Sequence, residues 1–236
     1  MKIFAFIILV FVFLPGNKSQ SNINDAIHHA FDVILRDLMR NGNPETGFPV
    51  LAPTIIPTLD VSWSIGHLVD LDGQLRNFRI DGLDGFRIND VRLSLLTMRF
   101  VFDFIWPNVR FTGWYNLNGR FGGLVPIFGQ GNFVLEPRNF RASGFAQIRF
   151  LGSNNNLNVT DMDVRLNLPS LQMNVQGILG GGDLGAVINK VAQDLVPSLI
   201  RTFENELSDL MSNLLIPRIN PFLNNLTLDD IINRAP

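Results

Sequence analysis

Three histidines are all this chain offers for imidazole chemistry: His28, His29 and His67. His28 and His29 are adjacent in a helical pattern, so they point to different faces and do not share a metal. His67 stands alone among strand-like residues, where a satisfied or partly exposed polar role outweighs that of a base. There is no cysteine, which removes thiol chemistry and a disulfide framework. No His/Cys/Asp/Glu cluster has metal-ligand spacing, and neither a Gly-x-Ser-x-Gly elbow nor a P-loop occurs. Asp161/Asp163 and Asp229/Asp230 are acidic pairs, but nothing groups either with an acid, a base and a sugar site. Gly129-Gln130-Gly131 reads as a turn. These residue types argue against an enzyme and imply neither cofactor nor metal.

The chemistry the chain is rich in is apolar. It has 20 Phe against 1 Tyr and 3 Trp, so its rings almost all lack a polar handle. Burying one Phe is worth about 1.5–3 kcal/mol, and this many implies a thick core or a lined cavity. Phe100, Phe102, Phe104 and Trp106 alternate with Val101, Asp103 and Ile105. In a strand the four rings share one face and form an aromatic comb. From Phe140 to Phe150 the same parity carries Ala142, Gly144 and Ala146, a small-residue window flanked by Phe140, Ile148 and Phe150. Such a window either admits a bulky neighbour or leaves room for a ligand, and Ala146→Phe is expected to fill it. The formal charge of −2, with scattered basic residues, gives no electrostatic argument for nucleic acid.

The elements that must position these residues follow from periodicity. Met1-Lys2, the apolar run Ile3–Leu14 and Pro15-Gly16-Asn17 fit a secretory signal peptide of about residues 1–18, too short to span a bilayer. Asn22 to Arg40 reads as an amphipathic helix stopped by Asn41-Gly42-Asn43-Pro44. Pro49, Pro53 and Pro57 then mark a connector. From Trp63 to Val175 the pattern is one of antiparallel strands, with a β-bulge expected where the parity switches at Leu95/Leu96 and a loop or bent strand over Gly122–Gly131. Asp183, as N-cap, opens a long helix to Leu215; Pro197 is expected to bend it or break it locally, and Pro217 and Pro221 to end it. Each part has an apolar face that only the others can cover, so residues 19–236 read as a single domain. Asn158 and Asn225 head N-glycosylation sequons, meaningful in a secreted chain.

Helix, antiparallel sheet and long helix, together with the turn before Phe48-Pro49-Val50 and the segment from Leu71 to Leu83, resemble the group-seven mite allergens and their insect homologues. The Ile-x-Gly-Leu phrase stands here as Ile80-Asp81-Gly82-Leu83. Pro107, Gly113-Trp114-Tyr115, Gly119 and Pro126-Ile127-Phe128-Gly129-Gln130-Gly131 are similar to a block of the juvenile-hormone-binding and takeout-like carriers. The N-terminal cysteine pair typical of the hormone-binding branch is missing, which moves the resemblance toward the allergen-like branch. Both branches belong to the tubular lipid-binding (BPI-like) superfamily. The resemblance implies an α+β fold: a strongly curved antiparallel β-sheet wrapped around a long C-terminal helix, with an additional N-terminal helix, enclosing an apolar ligand site.

The resulting expectation is a secreted, extracellular, non-enzymatic carrier of a lipid or other apolar small molecule, driven by transfer of ligand surface into a dry pocket. The expected lining is Phe100, Phe102, Phe104, Phe140, Ala142, Gly144, Ala146 and Phe150, facing Leu184, Ile188, Leu195 and Leu199 of the last helix. His67, Tyr115 or Gln147 is the expected partner of a ligand head group. The alternative is recognition of bacterial lipids or lipopeptides at a membrane surface, as in innate immunity, with Arg138, Arg141 and Arg149 near an opening. Exposed apolar faces also leave a homodimer open.

Overall fold

A computed structural model describes residues 20–44, 49–65, 69–121, 124–151 and 156–223. The expected leader at 1–18, Phe48, His67, the glycines at 122–123 and the Asn225 sequon lie outside them. The elements run α1 (Gln20–His29), a π-helical stretch (Ala30–Leu35), α2 (Arg36–Asn41), β1 (Thr54–Ile65) and β2 (Val69–Asp81). A 3-10 turn (Leu83–Gly85), β3 (Arg87–Ser94), β4 (Arg99–Asn108), β5 (Arg110–Phe121) and β6 (Val125–Leu151) follow. β7 (Asn156–Asn167), β8 (Ser170–Val175), α3 (Gly182–Thr202) and α4 (Glu204–Leu223) complete them. The fold is α+β, as the sequence implied, with one open antiparallel sheet.

A long hairpin organises the sheet. β4 and β5 run end to end along the 27-residue β6 without a change of register: Arg99 faces Gln147, Asn108 faces Arg138 and Phe111 faces Leu135. The strand order is β1-β2-β5-β6-β4-β3, with β7 and β8 on the other edge of β6. The hairpin therefore has two halves. β3, β4, β7 and the C-terminal part of β6 form one; β1, β2, β5, β8 and its N-terminal part form the other.

Helices cover the first half. Phe31 stacks on Phe100 and packs tilted against Phe104, with ring centroids 6.0 and 5.2 Å apart. Leu215, Ile219 and Leu223 of α4 join the same buried cluster, beside Leu93, Ile148 and Leu157. Asparagines tie the helices to strand edges that would otherwise show unpaired backbone groups. Asn220 spans both the N–H and the C=O of Val159 in β7 (2.8 and 3.0 Å). Asn189 does the same for Val175 in β8 (2.7 and 2.9 Å). Asn24 accepts from the Leu93 N–H in β3 at 3.0 Å.

Several expectations about elements are corrected. β1 starts at Thr54 and carries Pro57; an edge strand has a side on which the missing N–H is harmless. The parity switch at Leu95/Leu96 is the β3–β4 turn, with Met98 at φ 50°, and not a bulge. The region to Gly131 is the start of β6, where Gly129 and Gly131 let residues 176–177 cross closely: a Cβ at either would lie 2.4 or 2.6 Å from a carbonyl oxygen there. The tail is two helices. The break falls at Phe203 rather than at Pro197, and Gly181, not Asp183, is the N-cap of α3. Pro217 and Pro221 do not end α4. Both are exposed with Asn213 on the outer face, so the carbonyls they leave without an N–H partner sit at solvent while Leu215 and Ile219 stay buried.

Candidate ligand-binding site

The comb is built as its alternation requires. Phe100–Phe102 and Phe102–Phe104 stack in sequence, with centroids 6.3 and 6.2 Å apart, and Trp106 follows tilted against Phe104 at 6.0 Å. Across β6 the partners are Ala146 for Phe100, Gly144 for Phe102, Ala142 for Phe104 and Phe140 for Trp106. Large rings thus lie beside small residues, which lets neighbouring strands pack side by side. At Gly144 the fit is obligatory: a Cβ would stand 1.9 Å from the Asp163 carbonyl oxygen and 3.3 Å from Cζ of Phe102. Bulky neighbours therefore occupy much of the small-residue window.

The rest is space. A cavity of about 310 Å³ is bounded by Phe31, Leu35, Phe86, Phe102, Phe104, Trp106, Phe140, Ala142, Met162, Val164, Leu166, Met211 and Leu215. A second, of about 340 Å³, is bounded by Leu83, Trp106, Val109, Phe111, Leu135, Pro137, Phe140, Leu168, Leu171 and Val196. All of these side chains are apolar, so the interior offers burial and no charge partner. The two cavities lie in line along the hairpin. The inward residues of β4 and β5 change from Phe104 and Trp106 to Val109 and Phe111; those of β6 change from Leu135 and Pro137 to Phe140 and Ala142. One extra residue on each strand keeps the register while the inward parity swaps, and Asn139 takes a left-handed φ of 51° there.

Among the residues picked from the sequence, Phe102, Phe104, Phe140 and Ala142 border the first cavity. Phe100 and Ala146 are packed into the core at 1% and 3% exposure and border neither cavity. Gly144 lies under Phe102, and Phe150 packs at the margin of the core cluster. The helix turned to the comb is α4, through Met211 and Leu215. Leu184 and Leu195 of α3 are 54% and 43% exposed, Ile188 and Leu199 are half-buried, and none of the four borders either cavity. The lining expected on α3 thus lies away from both cavities, and the break at Phe203 that sets α4 apart leaves no apolar-periodicity signal. Phe31 and Leu35, legible by periodicity, and Phe86 and Leu83, brought in by a short turn, border the cavities without having been expected there.

The polar candidates are committed elsewhere. The Tyr115 hydroxyl donates to the Gln176 carbonyl at 2.9 Å, and burial pushes its pKa up. Gln147 donates to the carbonyls of Thr97 and Met98 (2.9 and 3.1 Å), holding the β3–β4 turn. Arg141 and Arg149 alternate with the inward Phe140, Ala142 and Ile148, on the opposite face of β6 from the cavities. Arg141 grips Asp103 through two hydrogen bonds (2.7 and 2.6 Å), which hold the Asp103 pKa below the usual carboxylate range. Arg138 pairs with Glu136 at 2.9 Å. The basic residues thus do not frame an opening. Among the described residues no three His, Cys, Asp or Glu could hold a metal, and no helix is long and apolar enough to cross a membrane.

An open antiparallel sheet packed against helices, with two apolar cavities on its covered face, defines the class: an α+β protein with hydrophobic space between sheet and helices. The chain matches the family model of the haemolymph juvenile hormone binding proteins (JHBP) over residues 7–233, and it belongs to that family. The missing cysteine pair therefore does not separate the chain from the hormone-binding branch. The crystal structure of Takeout 1 from Epiphyas postvittana is similar, with a TM-score of 0.64 at 17% identity over 92% of this chain and 97% of that one; at that identity the likeness speaks for the fold. A crystal structure of lipopolysaccharide binding protein aligns with 72% of this chain and 36% of its own at 14% identity, and its TM-score of 0.37 is too low to inform fold or ligand. None of the curated proteins matches the chain.

Proposed function

We propose that the protein is a secreted, non-enzymatic carrier that holds a lipid or another apolar small molecule between the sheet and its helices. The observation that carries this reading is the pair of in-line, all-apolar cavities of about 310 and 340 Å³, a size that suits small-molecule sites. Transfer of a hydrocarbon from water into such a space is favourable by about 25 cal/mol for each Å² of apolar surface removed. A ligand with a buried charge would find no partner there. Phe102, Phe104, Phe140 and Ala142 form the proposed floor, with Phe31, Leu35, Met211 and Leu215 as its cover. Membership of a family described by the binding of a haemolymph hormone supports a mobile, apolar ligand of that chemical kind. Residues 1–18 act in this reading as the secretory leader, residues 19–236 as one carrier domain, and Asn158 and Asn225 as glycan acceptors.

The test is solvent extraction of the protein purified from a secreting host, followed by mass spectrometry, with displacement of the fluorescent probe N-phenyl-1-naphthylamine by apolar alcohols in parallel. A co-purifying apolar molecule, or competitive displacement, is expected. No extracted ligand together with no probe binding rules the carrier out and leaves a filled structural core.

A further inference from the structure

The two cavities have two bounding residues in common, Trp106 and Phe140. They are direct cross-strand partners, and their ring centroids stand 6.0 Å apart. At that separation the two rings are in contact, and the pair stands where one cavity meets the other. The pair also sits where the inward parity of the hairpin swaps, hence at the boundary of the two halves of the sheet. We propose that Trp106 and Phe140 form an internal partition that sets the length of the ligand this carrier accepts. This inference rests on the carrier reading.

The residue type at position 106 has a specific explanation. A Phe would continue the comb as well as Trp does, but it would lack the indole N–H, which donates to the Leu83 carbonyl at 2.9 Å. That bond fixes the orientation of the ring between the two cavities. Leu83 itself borders the second cavity, so the latch and the far wall belong to one turn. Gly82 makes the turn possible: its φ of 84° is left-handed, and a Cβ there would lie 2.5 Å from the Asn108 carbonyl oxygen. The N-terminal helical segment holds the turn from outside. Arg36 donates to the carbonyls of Asp84 and Phe86, and Arg40 pairs with Asp84 at 2.6 Å. The phrase Ile80-Asp81-Gly82-Leu83 is thereby accounted for as the mount of the partition.

The test compares straight-chain alcohols from octanol to octadecanol as competitors of N-phenyl-1-naphthylamine. In the native protein affinity is expected to rise about fourfold per added methylene until the chain fills one compartment, and then to level off. In Trp106→Ala, and independently in Phe140→Ala, the rise is expected to continue, so that octadecanol gains about tenfold or more over octanol relative to the native protein. Trp106→Phe keeps the ring without its latch and is expected to move the break point part of the way. Near-UV circular dichroism identifies any variant that has lost its packing, and Trp106→Leu then replaces Trp106→Ala. A break point that stays at the same chain length in the folded variants overturns the partition and leaves carriage standing. Failure of every alcohol to displace the probe from the native protein overturns the carrier reading, and this inference with it.

Discussion

Ala142→Phe separates a packed core from a ligand site. Ala142 stands opposite Phe104 and borders the cavity of about 310 Å³. A phenyl ring projecting there displaces about four methylenes of ligand, each worth about 0.8 kcal/mol, so binding weakens by about 3 kcal/mol, roughly a hundredfold in Kd. Stability is expected to change less, because the added ring enters existing space instead of overpacking a filled core. Ala146→Phe is the control. Ala146 is 3% exposed, faces Phe100 and borders neither cavity, so a ring there must push aside packed atoms, at about 1–3 kcal/mol or more. Titration with N-phenyl-1-naphthylamine reads the first effect, and urea denaturation the second. A folded Ala142→Phe protein that binds the probe as tightly as the native one would refute the assignment of this cavity. Of the two alanines in the small-residue window, only Ala142 borders a cavity.

Phe100→Ala removes a fully buried ring stacked between Phe31 and Phe102, and a loss of about 3–5 kcal/mol is expected in urea denaturation. Asn220→Ala leaves both backbone groups of Val159 without their partner; a loss of about 1–3 kcal/mol per unsatisfied group is expected, with faster hydrogen exchange at that amide. Leu195→Asp, on the exposed face of α3, should leave probe affinity unchanged, and a large loss would return that helix to the site. For pH, the hydrogen bonds from Arg141 lower the Asp103 pKa in the folded state. Near the ordinary value of about 3.9 the unfolded chain then binds more protons. The stabilisation is present above that value and is lost as the pH falls through the lowered pKa, so Asp103→Asn should flatten the acid limb of stability against pH.

Local patterns were the legible part of the fold. Alternation marked the comb, helical spacing marked the N-terminal segment with Phe31 and Leu35, and glycines and prolines punctuated the strands. Where prolines were read as stops, the outcome depended on exposure: Pro217 and Pro221 are harmless on an outer face. Asn24, Asn189 and Asn220 were overlooked, although asparagine within a helix is a poor helix former and asks for an explanation; the explanation is a strand edge far away in sequence.

By itself the sequence determined the kind of interior this protein has. Twenty Phe against one Tyr and three Trp make it apolar, and the residue types hold in any arrangement that pairs the comb with the small residues of β6. What only the tertiary structure decided is where packing ends and space begins. Phe100 and Ala146 look the same in sequence as Phe104 and Ala142, yet one pair is sealed and the other borders a cavity. The difference comes from long-range geometry: which helix crosses the comb, where the hairpin swaps its inward parity, and how a turn at Leu83 holds the Trp106 indole. None of these leaves a periodicity in the chain, because each is set by contacts between residues far apart along it.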